Sequence, residues 1–151
     1  MHLLAMIFLL LLTMQLISGV LLFSLNVGVL PSEIASYYLG SEYTPAKSME
    51  TLVKVTLPHL LGFGFVLMGV MHLYFFIDEV TQTKKIVLLF IIVVSAVIDL
   101  LSPYLILLFG SSFAMLKLFG FVSFELIITY ILYVSIRSII KKSLNKLKVK
   151  N

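Results

Sequence analysis

The sequence has no cysteine and no tryptophan. Without thiols there are no disulfides, thiolate-held metals, iron–sulfur clusters or cysteine nucleophiles. Without tryptophan, any aromatic belt at a membrane surface falls to tyrosine and phenylalanine. Charge is also scarce. Asp, Glu, Lys and Arg make up 12% of the 151 residues, against about 25% in an ordinary soluble domain. Catalytic signatures are missing too: there is no nucleophile elbow, no Gly-rich phosphate loop and no His-Glu-x-x-His zinc pair. What the chain has in excess is apolar surface, with 61% of residues hydrophobic. A soluble protein this small cannot hide that much. Lipid can solvate it, so the composition predicts an integral membrane protein.

Four long apolar runs carry that surface: about 3–25, 52–77, 86–109 and 113–136. Each meets the requirement of about 20 residues for a hydrocarbon core of about 30 Å. Backbone groups in lipid must be satisfied within their own segment, and none of the runs alternates as a barrel strand would, so each is predicted helical. The first run lacks a basic leader and a small-residue cleavage site, and is expected to stay as a helix. Between the first two runs lies a polar stretch, Asn26–Glu50, broken by Pro31, Gly40 and Pro45. Within it, 32–39 is expected to form a short interfacial helix capped by Ser32. The 78–85 link is short and the Gly110–Ser112 link is tight. The expected fold is an all-α, up-down-up-down four-helix transmembrane bundle in a single domain.

Lys and Arg set the expected orientation. Four crossings put the N-terminus, the 78–85 link and the tail on one side. That side carries Lys84, Lys85, Arg137, Lys141, Lys142, Lys146, Lys148 and Lys150; the other carries Lys47, Lys54 and Lys117. The imbalance places both termini in the cytoplasm and the protein in a cell (inner) membrane. The basic tail 137–151, with Ile136, Ile139, Ile140, Leu144 and Leu147 at helical spacing, reads first as a topology anchor extending the last helix. The other reading is an amphipathic helix on anionic lipid, or one that binds acidic partners or RNA. No nucleic-acid role is expected.

Ionisable residues at membrane depth are costly and mark functional candidates. A rise of about 1.5 Å per residue gathers Gln15, His59, Asp99 and Glu125 into one polar layer in the outer half of the bundle, with Lys117 above it. Pro58 and Pro103 mark the same zone. Pro103 frees the carbonyl of Asp99, and Ser102 is placed to bond it again. A polar pocket, a hinge, a proton relay and an ordinary kinked helix held by an Asp–Lys or Asp–His pair all fit this pattern.

His59 and His72 bracket Gly62, Gly64 and Gly69 on one helix. Over that helix the arrangement resembles dihaem b-type cytochromes, and the resemblance implies His59 and His72 as iron ligands of haem b. The spacing of 13 turns the two rings roughly 140° apart. A second imidazole for either iron would come from a symmetric dimer. Met68 and Met71 are candidate thioether ligands, and Gly62 and Gly69 would equally admit a neighbouring helix.

The leading functional reading is a non-catalytic subunit or assembly partner of a membrane complex, as a homodimer or with other membrane chains. The alternatives are a haem b- or quinone-binding electron-transfer subunit, or a proton- or ion-conducting element built on Asp99 and Glu125.

Overall fold

A computed structural model describes the backbone of residues 2–150 and the side chains of residues 3–142. It contains five α-helices: α1 His2–Leu22, α2 Pro31–Leu39, α3 Met49–Phe75, α4 Gln82–Phe109 and α5 Ala114–Lys150. The last turn of α1 widens into a π-helix, Phe23–Val27, and a 3₁₀ turn, Ser111–Phe113, leads into α5. No strand occurs among the described residues. α1, α3, α4 and α5 are the four helices long and apolar enough to cross a membrane. They alternate in direction, as expected. One end of the bundle, here the loop end, carries α2 and the α4–α5 link. The opposite tail end carries the α3–α4 link and the C-terminal part of α5.

α4 and α5 pack most extensively, α3 lies beside α4, and α1 leans mainly on α5. Their tail-half core contains Leu12, Val70, Tyr74, Ile92, Phe124 and Ile128. A second cluster at the loop end joins Phe23, Ile34, Tyr38, Leu52, Ile106 and Ala114. In that cluster α2 closes the bundle like a stopper, and the burial of Tyr38 pushes its phenol above the ordinary range. The remaining apolar surface points outward: Leu10, Phe65, Met68, Phe90, Leu101 and Leu126 are all more than half exposed. Such a surface is stable only in lipid or against other membrane helices.

The helix ends differ from the expected ones for identifiable reasons. α2 is not capped by Ser32. Pro31 already supplies the helical φ at the first position, and the Glu33 carboxylate accepts the N–H groups of Val29 and Leu30, each at 2.9 Å. α3 starts at Met49 because the Ser48 hydroxyl accepts the Thr51 N–H at 3.1 Å. α4 begins at Gln82, ahead of its apolar run, and Lys85 is buried by its stem. The Lys85 ammonium donates to the Phe75 carbonyl at 2.8 Å, satisfying an orphan acceptor at the end of α3. Gly110 turns the chain between α4 and α5 at φ +97°, where an L side chain would be strained.

α5 does not stop at the membrane. It continues as one helix through Lys150, so the tail extends the last crossing. Ile136 and Ile139 are half-buried against the tail-half core and Ile140 is exposed, whereas Leu144 and Leu147 lie outside the described side chains. This extension grips the α3–α4 link. Lys142 pairs with Asp78 at 3.0 Å and Lys141 with Glu79 at 3.1 Å, and Ser138 Oγ donates to Glu79 at 3.1 Å. The hydrogen bond and charge of Lys142 hold the Asp78 carboxyl below its ordinary value. The hydrogen bonds from Lys141 and then Ser138 do the same for Glu79. Groups depressed in the folded state contribute above their ordinary values of 3.8 and 4.5, and lose that contribution as pH falls through the lowered ones. Amide exchange in residues 76–81 should therefore stay slow from pH 8 to pH 5, after correction for its intrinsic pH dependence. Further acidification or high salt should loosen these exposed pairs. An exchange profile flat down to pH 3 would remove the clamp.

A buried ion pair between α4 and α5

The candidate site starts with a conflict inside α5. Lys117 stands in the first turns of that helix, where the macrodipole disfavours a cation, and it is buried. The resolution comes from α4. Pro103 has no N–H to offer the Asp99 carbonyl four residues earlier, which leaves an acceptor beside a carboxylate. Lys117 Nζ donates to both: to Asp99 Oδ1 at 2.6 Å and to the Asp99 carbonyl at 3.0 Å. Ser102 Oγ donates to the same carbonyl at 3.1 Å. Both charged side chains are about nine-tenths removed from solvent. Desolvation of each ion is thus offset by a short charge-assisted contact and by hydrogen bonds that use the spare acceptor.

The pair is enclosed. Phe23, in the π-turn of α1, places its ring centroid 5.9 Å from Lys117 Nζ and stacks on Phe121 with centroids 3.9 Å apart. On the other side α4 and α5 touch through Gly120. A Cβ there would lie 2.7 Å from the Asp99 nitrogen and 2.9 Å from a methyl of Ile98. Glycine at 120 is therefore what lets the two backbones close over the pair.

The remaining polar residues take different places. Glu125 lies one helical face away on α5, half-buried, with its carboxylate turned toward Gly19 of α1. Gln15 is exposed on α1. His59 is exposed on α3; its Nδ1 lies 2.8 Å from the Val55 carbonyl and its ring meets Phe63 edge-on. His72 is exposed and edge-on to Phe76. Met68 is exposed and Met71 is buried in the core. Of the residues expected in one layer, the fold brings Asp99 and Lys117 into contact and sets Glu125 on the neighbouring seam. It leaves Gln15, His59 and His72 on outward faces. Among the described residues no three His, Asp or Glu side chains converge as a metal site would need. Gly69 receives the Phe8 ring of α1, whereas Gly62 and Gly64 face open space.

Sequence reasoning missed Gly120, Gly19 and Phe23. Gly120 had one readable signal: it stands three residues after the lysine that must reach α4, hence on the same face. Phe23 had none.

A family model described as a transmembrane helical domain matches residues 28–146. The chain belongs to this family, Aq_1264_TM. The family region spans α2 to the extension of α5, so it contains Asp99, Ser102, Lys117, Gly120 and Glu125. It starts after α1, the helix that supplies Gly19 and Phe23. No curated protein and no solved structure matches the chain. The protein is thus a small, multi-pass transmembrane helical protein whose environment is a lipid bilayer.

Proposed function

We propose that the protein is a non-catalytic subunit or assembly partner of a membrane complex. One observation carries this reading. Polar residues that no other helix of the bundle engages point outward at membrane depth: Gln15 and Ser18 on α1, and His59 on α3, with Ser18 and His59 Nδ1 bonded only to carbonyls of their own helices. On the His59 side of α3, a Cβ at Gly62 would meet nothing within 4 Å. Lipid tails cannot hydrogen-bond such groups, while a neighbouring helix can, and bare glycine lets it come close. The Asp99–Lys117 pair fits the same role. It is satisfied and closed in, as an interhelical lock is. The orientation that accompanies this reading puts the tail end, with Lys84, Lys85, Arg137, Lys141 and Lys142, in the cytoplasm of a cell membrane.

Photo-crosslinkers placed in native membranes test the proposal. Position 55 on α3, exposed on the His59 and Gly62 side, and position 15 on α1 should trap protein, and Gly62→Leu should abolish the first product. Positions 90 and 101, on the outward face of α4, should trap lipid alone. Equal crosslinking from every face, or none from any, contradicts the reading.

A haem-binding subunit is a second reading, favoured by the His59 ring. A carbonyl only accepts, so Nδ1 must carry the proton in its contact with Val55, which leaves Nε2 free and outward beside open glycines. In that reading His59 of two copies would hold one iron. His72 would serve a separate site, because 13 residues of helix separate the two rings by about 20 Å. A Soret band lost on His59→Ala selects this alternative; a colourless preparation removes it.

A further inference from the structure

Glu125 is the membrane-embedded carboxylate that the ion pair leaves over. It lies 11 residues into α5, about 16 Å along the axis and hence near the middle of a core about 30 Å thick. No clamp residue and no link reaches that depth. Its side chain is half-buried in the seam between α5 and α1, where Gly19 makes room: a Cβ at that position would stand 3.4 Å from Glu125 Oε1.

The surroundings of Glu125 offer no countercharge. α1 contributes the neutral Gln15 and Ser18 on its outward side. α3 contributes none, since His59 is turned outward against its own helix. α4 contributes Asp99, which is already paired with Lys117. On α5 itself, the nearest cation, Lys117, lies eight residues toward the loop end and is held by Asp99. No hydrogen bond joins Glu125 to another described side chain. An ionised carboxylate there would bear the desolvation cost of the membrane centre with no cation to offset it. A metal ion would need several oxygen ligands, and no such cluster forms among the described residues. A single proton needs one oxygen.

We propose that Glu125 is a proton-binding site on the α1–α5 seam, loaded as the neutral acid at neutral pH. Binding forms one O–H bond on the carboxylate and consumes one proton, with no change of redox state. The open side of the seam faces the lipid, so the acid is accessible to apolar reagents and shielded from water-soluble ones.

That asymmetry supplies the test. The full chain is reconstituted in phosphatidylcholine vesicles and treated at pH 7 with dicyclohexylcarbodiimide. The acid proton moves to a carbodiimide nitrogen, the carboxyl oxygen adds to the central carbon, and rearrangement leaves a stable N-acylurea with no leaving group. Peptide mass spectrometry should find the adduct on Glu125, and Asp99 unmodified because its carboxylate is buried against Lys117. The rate should fall about tenfold per pH unit once the acid titrates. A water-soluble carbodiimide should leave Glu125 unmodified. Infrared difference spectra provide a readout that does not depend on reagent access: wild type minus Glu125→Gln at pH 7 should show the carbonyl stretch of a protonated acid. Ionised carboxylate bands in that difference, or Asp99 labelling as fast as Glu125, overturn the proposal. Because Glu125 faces α1 within the chain, these outcomes are independent of whether a partner subunit is ever found.

Discussion

Lys117→Met and Asp99→Leu should each destabilise the protein by about 3–5 kcal/mol, and the double variant should be more stable than either. The reversal follows from what each change leaves behind. Lys117→Met strands a carboxylate between two helices in lipid, with Ser102 and the Asp99 carbonyl unable to neutralise it. Asp99→Leu strands an ammonium at the wrong end of the α5 dipole, with a carbonyl as its sole close acceptor. Removing both removes the desolvation cost as well, and Leu with Met restores apolar contact of similar volume. Titration with a denaturing detergent from mixed micelles gives the three free energies. A coupling energy close to zero would mean that the contact of 2.6 Å contributes no more than a surface pair does. Such a result would remove the lock.

Gly120→Ala should have the next largest effect. Its Cβ would meet backbone, the Asp99 nitrogen at 2.7 Å, so a rotamer change cannot relieve the clash. α4 and α5 would have to separate by several tenths of an ångström, which lengthens the Lys117–Asp99 contact and loosens the Phe23–Phe121 stack above it. Overpacking of this kind costs about 1–3 kcal/mol. Gly64→Ala is the internal control. It adds the same methyl group to open space on α3, and should be neutral or stabilise by up to about 1 kcal/mol through helix propensity. The same detergent titration reads both variants. Equal losses at 120 and 64 would show that glycine acts through backbone entropy at both places and not through close approach.

The comparison of residues 99 and 117 with residues 15 and 59 shows what a sequence of this kind makes legible. Depth is legible, because rise per residue is fixed once lipid is recognised as the solvent. All four crossings, the level of Asp99 and the freed carbonyl at Pro103 follow from it. Rotation about each helix axis is not fixed by depth. Gln15 and His59 lie at a depth suited to the polar layer, yet they face away from it, because packing of Phe8 into Gly69 and of Phe63 against Phe124 decides which side of α1 and α3 turns inward. The apolar runs stop short of the helix ends for a related reason. Lys84, Lys85 and the basic tail are good helix formers and carry no apolar signal, so the apolar runs underestimate α4 and α5. The spacing from Lys117 puts Gly120 on the face toward α4, but which backbone atoms it meets there depends on the register of α4, which no local pattern encodes.

Four alternating crossings place the α3–α4 link opposite both α2 and the α4–α5 link. The natural absence of cysteine makes one measurement decisive: single cysteines at Thr81, Ser41 and Ser112, all exposed, probed in sealed vesicles of defined orientation with a thiol reagent that cannot cross the bilayer. Ser41→Cys and Ser112→Cys should react from the same side and Thr81→Cys only from the other. Labelling of all three from one side would contradict the four crossings.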